Sequence, residues 1–123
     1  IKDNQKEAML KTFKSSLGSR FSYKDEEIEE LFNMVSDHGT NTYAFHSKAI
    51  EKTPSYLDKL KNIKTPTLII NGSEDPLIPI DHAFALSKGI SSEKLYVMEG
   101  VGHELPEELM EEISKRMLNN FYD

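Results

Sequence analysis

The sequence predicts an α/β fold in which helices precede a two-stranded parallel β-α-β unit and a C-terminal helix. Three observations carry this. Apolar residues recur at helical spacing through the first half and again near the end. Two short apolar runs, Thr67-Leu68-Ile69-Ile70 and Lys94-Leu95-Tyr96-Val97-Met98, stand out in the second half. A helical pattern lies between them, and the order strand, helix, strand implies a right-handed parallel crossover.

Ala8, Met9, Leu10, Phe13 and Leu17 predict a first helix that stops at Gly18. Ser22 followed by Asp25 resembles a capping box, and Ile28, Leu31, Phe32 and Val35 form one face until Asp37-His38-Gly39 ends the helix. A third helix runs from about Thr42 to Glu51. Thr53-Pro54 breaks it, and Ser55 is placed to cap a short helix carrying Tyr56, Leu57 and Leu60. The run Thr67–Ile70 is β-branched and nearly continuous, as expected of a strand buried on both faces. Turn formers follow, Asn71, Gly72, Ser73, Asp75, Pro76 and Pro79, after which Asp81 caps a helix ending near Gly89. Beyond the second strand comes the loop Glu99-Gly100-Val101-Gly102-His103. The last helix has Pro106 in its first turn and Leu109, Met110, Ile113, Met117 and Phe121 as its buried stripe.

The chain has 123 residues, 15 Lys+Arg against 21 Asp+Glu, and a net charge of −6. That acidic balance without a basic cluster argues against nucleic acid and anionic membranes as partners. No apolar run approaches the roughly 20 residues needed to span a bilayer, and the charged opening IKDNQKEAML is no signal peptide. The absence of Cys excludes disulfides and thiolate catalysis and fits a reducing, cytoplasmic location. At 37% hydrophobic, the chain is short of core for a self-sufficient domain. It also opens on Ile1, as a processed product or an excised fragment would. No residue set has metal-ligand spacing and no phosphate-binding Gly-rich loop occurs, so neither metal nor cofactor is expected.

In an open parallel sheet, reactive groups collect at the carboxyl ends of the strands. Asp75 and His103 occupy those two loops, side by side across the crossover. Such a pair suits an orienting carboxylate and a general base, while Gly72, Gly100 and Gly102 permit the sharp turns that join them. The bland reading of Asp75 is a turn aspartate bonding its own backbone ahead of Pro76. His38, His46 and His82 read as surface or cap-lining residues, Ser73 and Glu74 as loop-shaping, and Glu104 as a cap of the final helix. The acidic run Asp25-Glu26-Glu27 with Glu29-Glu30 reads as a solvated face. Phe13, Phe32, Met34, Tyr43 and Phe45 read first as packing and second as a substrate-pocket lining.

The stretch Thr65-Pro-Thr-Leu-Ile-Ile-Asn-Gly-Ser-Glu-Asp75-Pro-Leu-Ile-Pro79, then a helix and a strand ending in Glu-Gly-Val-Gly-His103, resembles the C-terminal portion of an α/β-hydrolase. The resemblance covers about residues 54 to 121. It implies that Asp75 matches the acid and His103 the histidine of a Ser-Asp-His triad. It also implies a partial α/β-hydrolase fold, with residues 1–53 as a helical cap and residues 54–123 as the C-terminal part of the core. No Gly-x-Ser-x-Gly elbow and no His-Gly oxyanion segment occur, and none of the serines is a credible nucleophile.

The expected function is that of a C-terminal piece of an esterase-like serine hydrolase acting on a small-molecule ester, with the serine outside this chain and the chain alone inactive. The alternative is a non-catalytic binding or interaction module that keeps a hydrolase-like unit. Either way, Thr67 to Asn71 should expose an apolar strand edge through which two copies pair as a homodimer.

Overall fold

The computed structural model describes residues 3–37, 43–91 and 93–122. Ile1, His38, the predicted helix stop at His38-Gly39 and the predicted start at Thr42 lie outside the described residues. The side chains of Val35, Tyr43 and Phe45 lie outside them too. The chain divides into two compact units, Ile1–Ser15 with Ser22–Ser55, and Ser16–Phe21 with Tyr56–Asp123.

The first unit is helical: α1 (Asp3–Ser15), α2 (Asp25–Asp37) and α3 (Tyr43–Lys52). Ile28 and Phe32, one turn apart on α2, are its buried apolar residues, whereas Leu31 and Met34 are exposed. The observed cap of α2 is the Glu27 carboxylate accepting the Lys24 N–H at 2.9 Å, two residues further on than the Ser22-Asp25 box suggested by sequence. Lys14 meets Asp25 at 2.6 Å, an exposed pair of little energetic weight. α1 stops at Ser15 rather than running on through Leu17. Ser16 instead joins the second unit, where its carbonyl accepts the His103 N–H at 2.7 Å.

The second unit contains a 3-10 helix (Leu57–Asn62), β1 (Thr67–Gly72), α4 (Ile80–Gly89), β2 (Glu93–Met98), a 3-10 turn (Glu107–Leu109) and α5 (Met110–Tyr122). β1 and β2 pair in parallel as a two-stranded sheet, with Thr67 opposite Glu93 and Gly72 opposite Met98. Side chains alternate between the faces of a strand. Ile69, with Leu95 opposite it, therefore joins Ala83, Ile90, Leu60 and Ile80 on the α4 side. Ile70 and its partner Tyr96 pack on the other side with Met98, Val101, Leu109, Ile113 and Phe21. Tyr96 ties α5 to β2, since its ring lies 3.8 Å beneath the Arg116 guanidinium and its hydroxyl bonds to Glu112.

Three local expectations shift. Pro79 is the residue before α4, which places Asp81 inside its first turn. Tyr56, not Ser55, precedes the 3-10 helix. Of the predicted stripe, Leu109 and Ile113 are buried, but Met110, Met117 and Phe121 are 39%, 47% and 77% exposed. The two strand axes stand about 5 Å apart while a helix with its side chains is about 10 Å across, so this sheet covers only part of the apolar face. Ile113→Ala is accordingly expected to cost about 2–4 kcal/mol in urea denaturation, and Phe121→Ala less than about 0.5 kcal/mol. Among the described residues no helix is long and apolar enough to cross a membrane.

Candidate functional site

Because β1 and β2 are parallel, the loops after Gly72 and Met98 leave the same end of the sheet. Backbone bonds join them: the Ser73 N–H donates to the Met98 carbonyl at 3.0 Å and the Glu74 N–H to the Val101 carbonyl at 2.9 Å. The Ser73 hydroxyl accepts the Gly100 N–H at 2.8 Å, which gives that serine the loop-shaping part expected of it. The glycines serve two different ends. Gly100, alone among the described residues, has a positive φ, 71°. At Gly72 and Gly102 the reason is close approach: a Cβ on Gly72 would sit 2.2 Å from the Val101 carbonyl oxygen, and one on Gly102 would sit 2.2 Å from that of Ser16.

These loops bring Asp75 and His103 together. His103 Nδ1 lies 2.8 Å from Asp75 Oδ2. The other carboxylate oxygen, Oδ1, accepts the N–H groups of Leu77 and Ile78, each at 2.8 Å. Asp75 is thus a turn aspartate and a histidine partner at once, one oxygen for each task. The Asn71 amide, buried beneath the loop, donates to the carbonyls of Gly72 at 2.8 Å and Ile78 at 3.1 Å. Sequence reasoning had marked Asn71 only as a turn former, and no local signal shows that its side chain holds the turn from inside.

Burial of the Asp75 carboxyl pushes its pKa up, but the Ile78 N–H, the His103 ring and the Leu77 N–H outweigh this and hold it below the usual carboxylate range. The carboxylate is therefore ionised at neutral pH and only accepts, which assigns the shared proton to His103 Nδ1 and leaves Nε2 as the basic nitrogen. The Asp75 side chain is 7% exposed and that of His103 49% exposed, so the ring reaches out of the loop while its anchor is sealed.

Because the folded carboxylate binds its proton less readily than the unfolded one, Asp75 contributes stability that is full above the ordinary Asp pKa near 3.9 and is lost as pH falls through its lower folded value. Acid titration of the unfolding free energy should show this loss in wild type, and Asp75→Asn should flatten that part of the curve.

A cleft of about 530 Å³ opens beside the pair, with Ile70, His82, Leu86 and Leu105 among its mostly apolar lining. His82 lines this cleft, whose walls come from the second unit, while His46 is exposed on α3 in the other unit. Glu104 does not cap the final helix as expected: both its oxygens accept the Gly18 N–H, at 3.0 and 3.2 Å. Glu74 accepts from the backbone N–H and the hydroxyl of Ser19, each at 2.8 Å. Among the described residues no group of three or more metal-ligating side chains occurs.

No protein-family model matches the chain. Among curated proteins it is similar to a 2-hydroxy-6-oxononadienedioate/2-hydroxy-6-oxononatrienedioate hydrolase of Pseudomonas putida, 33% identical over 69% of this chain and 33% of that protein. The corresponding hydrolase of Klebsiella pneumoniae is 30% identical over 72% of this chain and 32% of its own length. The AB hydrolase superfamily protein YisY of Bacillus subtilis is 29% identical over 72% of this chain and 34% of its own length. The chain spans about a third of the length of these curated relatives. Among solved structures, a serine hydrolase involved in carbazole degradation, the CarC enzyme, matches with a TM-score of 0.73 and 19% identity, over 95% of this chain and 47% of that one.

Proposed function

We propose, from the premise that this chain is related to the α/β-hydrolase superfamily and carries part of its fold, that it is the acid-and-histidine portion of a serine hydrolase. The observation that carries this reading is the His103 Nδ1 to Asp75 Oδ2 contact at 2.8 Å, at the carboxyl end of a parallel strand pair. A serine supplied from outside these residues attacks the substrate carbonyl and gives its proton to His103 Nε2. Asp75 holds the imidazole in the matching tautomer and stabilises the imidazolium that forms. His103 then returns the proton to the leaving group. Water repeats the cycle on the acyl intermediate.

The substrate class is a small molecule with an esterase-like acyl bond. The mostly apolar cleft beside the pair suits an acyl chain. The names of the curated relatives support a small carbonyl-bearing substrate, a 2-hydroxy-6-oxo diacid in their case. The helices within residues 1–53 serve as a cap, and residues 54–123, joined by Ser16–Phe21, as the C-terminal part of the core. Two copies of the chain pair through a strand edge, for which each strand of the two-stranded sheet has, among the described residues, one edge without a strand partner.

The test is to read the coding sequence upstream and to assay p-nitrophenyl esters with and without what it encodes. A Gly-x-Ser-x-Gly elbow, together with turnover that needs both that serine and His103, is the expected result. An upstream sequence without an elbow would favour a non-catalytic binding module. Turnover by the 123-residue chain alone, abolished by His103→Ala, would overturn the external nucleophile.

A further inference from the structure

We infer that Ser16–Phe21 is a positioning strap for the Asp75–His103 pair, and that Glu74 and Glu104 are positioning residues that act through it. The inference rests on the acid-histidine reading above. Glu74 stands next to Asp75 and Glu104 next to His103, yet both side chains end on the same short segment. Glu104 accepts the Gly18 N–H, and Glu74 accepts the N–H and the hydroxyl of Ser19. Hydrogen bonds from backbone donors to an ionised carboxylate are about twice as strong as neutral ones.

The strap holds the histidine loop by its backbone as well. The Ser16 carbonyl accepts the His103 N–H at 2.7 Å, and the Arg20 N–H donates to the Gly100 carbonyl at 2.8 Å. The Arg20 guanidinium reaches the Glu99 carbonyl at 3.3 Å. The contact is backbone on backbone, since a Cβ on Gly18 would lie 2.3 Å from the Gly100 carbonyl oxygen and 2.5 Å from the Gly102 nitrogen.

The pair needs such support. The His103 side chain is 49% exposed, so packing around the ring does not by itself fix it. What fixes the ring is its own backbone, held by Ser16, and its partner, whose loop Glu74 fastens to the same strap. A hydrogen bond of 2.8 Å survives only if both anchors keep their places to within a fraction of an ångström. Two carboxylates flanking the pair and converging on adjacent residues, Gly18 and Ser19, are an economical way to tie the acid loop to the histidine loop.

The test uses the full 123-residue chain labelled uniformly with ¹⁵N, observed by NMR at a pH where the imidazole is neutral. Wild type is expected to show His103 in the Nδ1–H tautomer with a slowly exchanging Nδ1 proton. Glu104→Ala and Glu74→Ala should each speed that exchange by about tenfold or more, as local opening made easier would do, and move the ring toward the tautomer mixture of free imidazole. Glu104→Gln, which keeps an oxygen acceptor for the Gly18 N–H, should stay near wild type. An unchanged tautomer and exchange rate in both alanine variants would overturn the strap alone. Loss of the Ile69, Ala83 and Ile90 signals together with that of His103 would mark general unfolding and also overturn it. A wild-type ring without the Nδ1–H tautomer would overturn the acid-histidine reading itself, and the strap with it.

Discussion

Replacing His103 by alanine in the polypeptide that carries the nucleophile is expected to lower kcat by about four to six orders of magnitude. The loss is that large because the imidazole both takes the serine proton and returns it to the leaving group. Without it, only binding and oxyanion stabilisation remain. KM should change little, since the ring contributes no uniform binding in this reading. Asp75→Asn separates the two tasks of the carboxylate. The Asn side-chain oxygen can still accept the Leu77 and Ile78 N–H groups, so the turn survives. Its amide then faces Nδ1 as a donor and favours the Nε2–H tautomer, which cannot act as base. The expected result is a folded variant with a kcat lowered by about 10⁴. Steady-state kinetics beside circular dichroism checks both variants. Rates within tenfold of wild type would remove the catalytic assignment.

Gly102→Ala is the second large effect. The added Cβ would lie 2.2 Å from the Ser16 carbonyl oxygen and 2.6 Å from the Gly18 nitrogen, both backbone atoms that cannot rotate aside. Either the strap leaves the loop, with loss of the His103 N–H bond to Ser16, or the loop itself shifts. Overpacking of this kind costs about 3 kcal/mol or more. Urea denaturation should show the cost as a lowered midpoint. An equivalent substitution at Gly89, where the Cβ would meet the flexible Leu60 side chain, should cost clearly less. Equal destabilisation at the two positions would contradict the account.

The elements that sequence locates well are those specified by local pattern. The two short apolar runs became β1 and β2 within two residues, and the crossover between them follows from their order. Asp75 and His103 were legible as neighbours for the same reason: each follows a strand, and parallel strands end together. At the end of α1 and at Glu104 a distant partner competed with the local one. Ser16 left α1 because its carbonyl receives the His103 N–H, a bond between residues far apart in sequence. Glu104 stands where a helix cap is expected, but the Gly18 N–H was the better partner.

By itself, then, the sequence determined the α/β class, the two strands, the helical stretches and the two post-strand loops in which Asp75 and His103 stand. All of these are set by periodicity and turn chemistry within a few residues. Only the tertiary structure decided that Ser16–Phe21 belongs with those loops and that Gly72 and Gly102 are glycines for want of space. It also decided where the side chains of Asn71, Glu74 and Glu104 find their partners, and that Met110, Met117 and Phe121 of the predicted stripe near the C-terminus remain exposed. Those outcomes depend on which backbone donors lie within 3 Å of a given side chain and on how wide a sheet the helix meets, and neither is a property of any local stretch of chain.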